Sequence, residues 1–512
     1  MLSKRCAKHQ EEFTIAGGRS RRILYNDRRR PGRVPQDFFT RMTRIPGPEL
    51  LRAIPSVDEL LATDVVAAWR AEHPRFPWTR FIRAIVNDMR EGHLDAPGGA
   101  DRAALTTLIT AAAAKKLDAL RTGGLRPVLN GTGVILHTNL GRAPVGDAAV
   151  HAAEAALRGY VSLEVDLESG ERSRRGDAVE PLFALLCGTE AAMVVNNNAA
   201  AVYLVANSFS PPGRIIVSRG ELVEIGGSFR LPEILRHAAA DVIEVGTTNR
   251  TYAADYERVA QPGDVLMKVH KSNYEIEGFA HETSVSELVE VGKRCNASVV
   301  FDLGSGALFD FAGAGVGHEP VVTRIIETGV DAVTMSGDKL LGAAQAGIIV
   351  GKRAFIDRLK QNPLRRVVRI DKVAVAVLQT VAREYLFASN VTESVPVLAQ
   401  ITVDVKALEY RANKLVEVLR SVGTKNVSVA PDDAAVGGGS FATTRVPSVA
   451  LTIACASDRD AGALARRLRL RAQPVFTRVK GREVRVNLST IFAHEDKALA
   501  EALVDTLTRS GA

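Results

Sequence analysis

Two charged residues in the middle of the chain follow short apolar runs that are typical of buried strands. Lys339 comes shortly after the run 331–335, and Asp302 ends the run 299–301. A lysine at a strand end can form a Schiff base with an aldehyde cofactor, and an aspartate there can hold the proton of a pyridine nitrogen. We therefore expect pyridoxal phosphate chemistry. An isolated lysine is usually a surface residue and an isolated aspartate often caps a loop, so the prediction depends on the pair.

Further polar residues follow other apolar runs. Asparagines fill positions 196–198 after the run 192–195, and the backbone N–H groups of a helix starting there would bind a phosphate. A simple helix cap, which needs only one asparagine, is the alternative. His270 and Asn273 follow the run 265–269 and are candidates to stack on the cofactor ring or to bind its 3-hydroxyl, although a lone histidine is often structural. The predicted cofactor-binding residues are Lys339, Asp302, Ser336, Asn196, Asn197, Asn198, His270 and Asn273.

Several arginines predict a second anionic ligand. Arg366 and Arg369 are three residues apart and share one face if their segment is helical. Paired guanidinium groups suit the bidentate binding of a phosphate-like anion. Arg142, Arg172 and Arg175 add further cations. A single arginine is usually solvated, so the number of arginines carries this prediction.

The composition excludes several other classes of protein. The four cysteines lie far apart and form no Cys-x-x-Cys pair, which argues against a zinc site or a disulfide framework and favours a reducing cytoplasm. No apolar run approaches the ~20 residues that span a bilayer. The sequence contains no phosphate-binding Walker loop and no His-Glu-x-x-His motif. We therefore expect a cytoplasmic protein without a metal.

The positive charge is concentrated at the start of the chain. Residues 1–41 contain 11 Lys/Arg and 4 Asp/Glu, or +7 of the total of +8, which leaves +1 for the rest. This basic segment shows no hydrophobic period and predicts disorder. A nucleic-acid-binding arm is one interpretation. A misassigned start codon, with translation beginning at Met42, is the interpretation we favour.

The remaining chain divides into three predicted regions. Residues 42–125 are predicted to be helical, with a start at Ser56, apolar residues at helical spacing over 81–89 and an Ala- and Leu-rich helix over 103–120. The regions that follow are a large domain over 126–385 and a smaller α+β domain over 386–512. In the smaller domain, glycines 437–439 predict a hairpin turn. Strands at 449–454 and 483–488 flank a predicted helix at 458–470.

Seven apolar strands alternate with helical stretches in the large domain. This order predicts an α/β fold with a doubly wound, mostly parallel sheet whose ligands lie beyond the carboxyl ends of the strands. The predicted strands are 192–195, 215–217, 242–245, 265–269, 299–301, 332–335 and 348–350.

Long motifs in the chain resemble those of bacterial selenocysteine synthase, the L-seryl-tRNA(Sec) selenium transferase family. The first is Asn-Gly-Thr-Gly-Val-Ile-Leu-His-Thr-Asn-Leu-Gly-Arg-Ala-Pro, and the resemblance extends from about Met42 almost to the C-terminus. Motifs of this length are highly specific. The segments that carry the resemblance are 130–144, 194–201, 218–230, 244–250, 336–341 and 362–372.

The resemblance implies a fold-type I pyridoxal phosphate enzyme with Lys339 as its cofactor lysine. It also implies that selenophosphate and seryl-tRNA(Sec) are converted to selenocysteinyl-tRNA(Sec) through a cofactor-bound dehydroalanyl-tRNA. Asp338 is implied to be functionally important, and our hypothesis is that it acts catalytically by helping to protonate the leaving hydroxyl. The N-terminal helices would help to bind the tRNA, and the chains would form a ring-shaped homo-oligomer, a decamer in the family. The arginines implied to line the site are Arg142, Arg172, Arg175, Arg366 and Arg369.

The chain departs from the family pattern in two loops. The turn after the lysine, typically Gly-Gly-Pro-Gln, is Gly-Ala-Ala-Gln at 342–345, and the basic loop, typically Gly-Lys-Arg-Gly-Ser-Arg, is Gly-Glu-Arg-Ser-Arg-Arg at 170–175. Two other functions remain open: a related lyase that acts on a small amino acid or amino sugar acid without tRNA, and a catalytically idle RNA-binding protein. The helical N-terminal region argues against the first, and the intact lysine and aspartate argue against the second.

Overall fold

A computed structural model describes residues 47–97, 99–210, 213–225 and 229–508 of the chain. The basic segment 1–41, together with its two interpretations, lies outside the described residues. The chain forms two compact units, Met1–Arg126 and Pro127–Ala512. Among the described residues, no helix combines the length and the apolar character needed to cross a bilayer.

The first unit is helical in all its described regular structure, as the sequence predicts. At Ser56 the hydroxyl accepts a hydrogen bond from the Glu59 N–H, and the Glu59 carboxylate accepts one from the Ser56 N–H. This capping box satisfies two backbone N–H groups that would otherwise be unbonded at the start of α2. The predicted helix start is therefore confirmed. The helices are α1 (Pro48–Ala53), α2 (Val57–Leu61), α3 (Asp64–Glu72), α4 (Trp78–Arg90) and α5 (Arg102–Thr122).

The core of the first unit is formed by the apolar faces of these helices. Phe81, Ile82, Ile85 and Met89 of α4 are buried at helical spacing, as predicted. They pack in one cluster with Leu105 and other residues of α5. The amphipathic pattern of α4 thus explains why its apolar face is buried in the core of this unit.

The second unit contains fourteen strands and fourteen helices among its described residues. The helices are α6 (Asp147–Arg158), α7 (Glu180–Cys187), α8 (Asn198–Phe209), α9 (Leu231–His237), α10 (Ala253–Glu257), α11 (Val285–Cys295), α12 (Val322–Glu327), α13 (Arg353–Gln361), α14 (Lys372–Phe387), α15 (Val391–Ser394), α16 (Pro396–Ile401), α17 (Val405–Ser421), α18 (Asp458–Arg469) and α19 (Asp496–Thr508). The strands are β1 (Leu129–Gly131), β2 (Ala191–Val195), β3 (Ile215–Ser218), β4 (Glu224–Ile225), β5 (Phe229–Arg230), β6 (Val242–Val245), β7 (Val265–Val269), β8 (Ser298–Gly304), β9 (Ala332–Ser336), β10 (Gly347–Gly351), β11 (Val427–Gly437), β12 (Ser440–Ala454), β13 (Val475–Lys480) and β14 (Glu483–Asn487).

The larger sheet has the order β2-β10-β9-β8-β7-β3-β6 and contains all seven predicted strands. β10 runs antiparallel to both of its neighbours, and the other pairs are parallel. Successive residues of β2 face opposite sides, with Val194 in one buried cluster and Val195 in another. Both faces are therefore covered, which explains why these strands are continuously apolar rather than alternating. The predicted doubly wound α/β fold is confirmed.

The smaller sheet has the order β1-β13-β14-β12-β11. The glycines at 437–439 connect β11 to β12 as a hairpin, and all three have a positive φ. The predicted helix and strands after residue 440 are confirmed as α18, β12 and β14. β1 precedes the strands of the larger sheet in the sequence, but it pairs in parallel with β13 and forms an edge strand of the smaller sheet.

Candidate active site around Lys339

Lys339 lies in the turn that follows β9. The turn is fixed by backbone bonds, with the Gly337 N–H donating to Ala346 O and the Leu340 N–H to Ser305 O. The lysine is only 5% exposed. Burial lowers the pKa of the Lys339 amine, and the nearby Arg142 guanidinium lowers it further, against the opposing effect of three carboxylates. The amine is therefore deprotonated more readily than an exposed lysine, as a nucleophile or base requires.

Asp302 lies in β8, the strand that neighbours β9. Its Oδ1 accepts hydrogen bonds from Asn198 Nδ2 and from Thr334 Oγ1, both at 2.8 Å. Burial raises the pKa of the Asp302 carboxyl group, although these hydrogen bonds and the charges of Lys339 and His270 oppose the rise. A buried carboxylate without a fixed cation pairs readily with a protonated ring nitrogen.

The three asparagines differ in what they contact. The Asn197 side chain caps α8 by accepting a hydrogen bond from the Ala200 N–H, which is the simple capping alternative. Asn198 binds Asp302 instead, and its Oδ1 is buried without a hydrogen-bond partner. The Asn196 N–H donates to Val368 O. The start of α8 thus lies close to Asp302, as a phosphate-binding role would require.

His270 and Asn273 diverge after β7. The His270 N–H donates to Asp302 O at 2.9 Å, and its Nε2 lies 3.3 Å from Glu319 Oε1. The two groups are close but not hydrogen-bonded, because the buried Glu319 Oε1 has no hydrogen bond of good geometry. Asn273 is exposed and donates to Glu224 O at the short β4–β5 hairpin. The structure therefore brings His270, but not the Asn273 amide, next to Asp302.

Arg142 lies beside the lysine rather than with the other candidate arginines. Its Nη1 donates to Asp338 Oδ2 at 2.7 Å, and the Ala143 N–H donates to Asp338 O. Arg142 has a φ of 64°, a conformation that is uncommon for residues other than glycine. Strain of this kind is held only where surrounding contacts fix it, and here the contact joins two candidate site residues.

The other four candidate arginines line one cavity of about 660 Å³. Its lining does not include Lys339 or Asp302, so in the described residues the arginines form a second group. The helical condition for Arg366 and Arg369 is not met, because Pro363–Arg366 is a 3₁₀ turn and Arg369 lies outside it. Arg366 and Arg369 therefore meet at the cavity without sharing a helical face. The charged lining residues are Glu164, Arg172, Arg174, Arg175, Glu180, Lys360, Arg365, Arg366 and Arg369.

The structure adds residues that sequence patterns did not single out. Thr334 binds Asp302, and Glu319 faces His270. Glu164 contacts three of the arginines. Gly439 lies so close to the lysine that an added Cβ would be 3.5 Å from Lys339 Nζ. The run of three glycines was the available sequence signal for the Gly439 contact. No local sequence pattern distinguishes Thr334, Glu319 or Glu164.

Comparison with known proteins identifies a family to which most of this sequence is similar. A family model described as L-seryl-tRNA selenium transferase matches residues 128–492, and one described as selenocysteine synthase N terminal matches residues 51–90. An L-seryl-tRNA(Sec) selenium transferase of Clostridium perfringens is 40% identical over 89% of this chain and 98% of its own length. One of Moorella thermoacetica is 41% identical over 90% and 97%.

Among solved structures, a D-glucosaminate-6-phosphate ammonia-lyase superposes with a TM-score of 0.53 and 16% identity, covering 77% of this chain and 99% of that one. This likeness concerns the fold alone. The match to the transferase family model over 128–492 and the relatives that are about 40% identical over most of both chains lead to one conclusion. The chain belongs to the L-seryl-tRNA selenium transferase family.

Proposed function

We propose that this protein converts L-seryl-tRNA(Sec) to L-selenocysteinyl-tRNA(Sec), with selenophosphate as the selenium donor. The observation that carries the proposal is the buried pair Lys339 and Asp302 at neighbouring strand ends, in a chain that matches the family over most of its length. The match at residues 51–90 disfavours the alternative of a lyase without tRNA, because it extends the likeness to the N-terminal helices.

The residues around Lys339 fit pyridoxal 5'-phosphate. Lys339 would bind its aldehyde, Asp302 its ring nitrogen, and Ser336 together with the start of α8 its phosphate. Asn198 Oδ1 is a buried acceptor without a partner, which is the kind of orphaned atom that a bound group would satisfy. When bound, this cofactor withdraws electrons from the substrate and makes its Cα proton acidic.

The protein's own groups then move protons and hold charge. Lys339, with its lowered pKa, is the base that takes the Cα proton. Asp302 is buried and holds a proton on the ring nitrogen. Asp338 precedes the lysine and is assigned to the departure of the seryl hydroxyl, while its bond to Arg142 fixes the direction of both side chains.

The arginines are assigned to selenophosphate. Arg366 and Arg369 line the cavity with Arg172 and Arg175, and their exposed guanidinium groups have donors available for a phosphate-like anion. Arg142 does not line this cavity, and its proposed role is to contact the selenophosphate at the lysine site, where it is bonded to Asp338. We further propose that the N-terminal unit contacts the tRNA and that the chains assemble as a homo-oligomer.

The test is a comparison of two tRNAs. The purified protein is incubated with selenophosphate and either seryl-tRNA(Sec) or seryl-tRNA(Ser), and the esterified amino acid is released and analysed. We expect selenocysteine from the first tRNA alone. Conversion of both tRNAs to the same extent, or of neither, would contradict the assigned substrate.

A further inference from the structure

Glu164 is one of the two carboxylates that line the arginine cavity, and it contacts three of the cavity's arginines. Its Oε1 lies 2.9 Å from Arg175 Nη2 and 3.7 Å from Arg369 Nη1, and its Oε2 lies 3.2 Å from Arg172 Nη2. Partial burial raises the pKa of the Glu164 carboxyl group, but the hydrogen bonds from Arg175 and Arg172 outweigh this, so the pKa is lowered overall. Glu164 is therefore ionised near neutral pH and can only accept hydrogen bonds.

The three arginines are held to different degrees. Arg175 donates from Nε to Glu164 Oε1 and from Nη1 to Ile370 O at 2.6 Å, and its side chain is 21% exposed. The side chains of Arg172 and Arg369 are 77% and 45% exposed, and each reaches Glu164 with one nitrogen. Arg175 is thus fixed, whereas the other two keep donors for a ligand.

Glu164 itself keeps unused capacity as an acceptor. Its side chain is 27% exposed, it lines the cavity, and its Oε2 receives a single long contact. The position is held by the backbone, because Val165 and Arg172 form an antiparallel bridge and the Ser173 N–H donates to Glu164 O. An anion bound by the free arginine donors would therefore lie against a fixed carboxylate oxygen.

We propose that Glu164 makes this cavity selective for oxyanions that carry a proton. The inference rests on the proposed function, in which the cavity binds selenophosphate. A phosphate-class ion with a hydroxyl can donate to Glu164 while it accepts from the arginines. Sulfate has no such proton, so its oxygen would face the carboxylate lone pairs without a hydrogen bond. A site built to receive a hydrogen bond rejects an analogue that lacks the donor.

The same physics separates two sources of phosphate. The phosphodiester groups of a tRNA backbone carry no proton near neutral pH, whereas a free phosphate-class donor does. Glu164 therefore keeps the tRNA backbone out of the cavity and leaves the arginines to the small donor. Dimethyl phosphate is a probe for the first source, and inorganic phosphate is a probe for the second.

The test measures binding rather than turnover. Inorganic phosphate, sulfate and dimethyl phosphate are titrated calorimetrically into the holoenzyme at one ionic strength and mildly alkaline pH. We expect wild type to bind phosphate about tenfold more tightly than sulfate or dimethyl phosphate, a difference of about 1.4 kcal/mol that the unmet acceptor can account for. In Glu164→Gln, whose amide can donate to sulfate, the preference should fall to about twofold.

The control is Glu171→Gln, which removes the same charge from the same loop but from a side chain that does not line the cavity. It should keep the wild-type preference. Equal binding of phosphate and sulfate by wild type would overturn the inference, as would an unchanged preference in Glu164→Gln. If Glu164→Gln binds neither ion, the ratio of phosphate to sulfate affinity in wild type tests the inference by itself. A preference for phosphate supports the inference, and equal binding overturns it.

A competition assay separates this inference from the proposed function. Phosphate should raise the KM for selenophosphate more than sulfate does. If neither ion competes, the cavity is not the selenophosphate site and the proposed function of the arginines fails. If both compete equally, that assignment holds and only the role of Glu164 is overturned.

Discussion

The lysine site and the arginine cavity differ in the number of their charged groups and in the exposure of those groups to solvent. The lysine site contains few charges, and three of them are buried: Lys339, Asp302 and Asp338 are 5%, 7% and 8% exposed. The arginine cavity gathers seven cationic side chains against two carboxylates, and most of its arginines are exposed. The first arrangement lowers the pKa of the Lys339 amine and raises that of the Asp302 carboxyl group, chiefly through burial. The second keeps charges permanently ionised and available for binding.

This difference predicts where a substitution acts. In the buried site, losing one group removes a chemical step, because no solvent molecule substitutes for it. In the open cavity, losing one cation weakens binding, and neighbouring cations partly compensate. Turnover should therefore depend on the first region and the KM for the anion on the second.

Replacing Lys339 with Ala is expected to have the largest effect. The variant lacks both the group that binds the cofactor aldehyde and the base, so turnover should fall by at least about 10³-fold. Borohydride treatment should no longer attach the cofactor to this peptide. Lys293→Ala, an exposed lysine paired with Glu290, is the control and should behave as wild type. Retained turnover in Lys339→Ala would refute the assignment.

Asp302→Asn is expected to lower turnover without lowering the stability of the cofactor-free protein. Loss of the charge next to the ring nitrogen should lower turnover by roughly 10²-fold. The folded-state pKa of Asp302 is raised, so the carboxyl group destabilises the cofactor-free fold increasingly as pH rises through that pKa.

The cofactor-free Asp302→Asn protein should accordingly be at least as stable as wild type at pH 7, and the difference should disappear at pH values below the unfolded-state pKa of Asp. Thermal unfolding at several pH values measures this. A variant that is less stable than wild type at pH 7 and equally so in acid would show that Asp302 is a structural residue.

Arg366→Ala should act on binding. Removal of one charge-assisted contact should raise the KM for selenophosphate by roughly tenfold with kcat changed far less. Lys352→Ala is the matched control, because it removes a cation at the start of α13 that pairs with Asp331 and does not line the cavity. A loss confined to kcat would break the distinction between the two regions.

The sequence predicts the elements much better than it predicts the pairings between them. The seven strands could be found because each is a continuous apolar run, and Lys339 and Asp302 because each follows such a run. The grouping of Arg142 with Asp338 could not be found, since it joins residues 196 positions apart through a turn with a positive φ. The same holds for Glu164, whose partners lie both in its own loop and beyond α13.

The hairpin at 437–439 provides the smallest and most specific test. Gly439 has a φ of 76°, and an added Cβ would lie 3.0 Å from Ser272 Oγ and 3.5 Å from Lys339 Nζ. Gly439→Ala therefore combines backbone strain, on the order of 1 kcal/mol, with crowding of the lysine. Gly481→Ala is the matched control, because Gly481 has a φ of 55° but nothing within 4 Å of an added Cβ.

Both glycine variants should lose stability in thermal unfolding through backbone strain, and Gly439→Ala should lose more because its Cβ crowds Ser272. Only Gly439→Ala should also slow reconstitution with pyridoxal phosphate, by a few-fold, because its methyl group narrows the space around the amine. If the two variants reconstitute equally fast, the hairpin of the smaller sheet does not limit access to Lys339. The lysine site would then be accessible to the cofactor on the side of the hairpin, as the arginine cavity is to its anion.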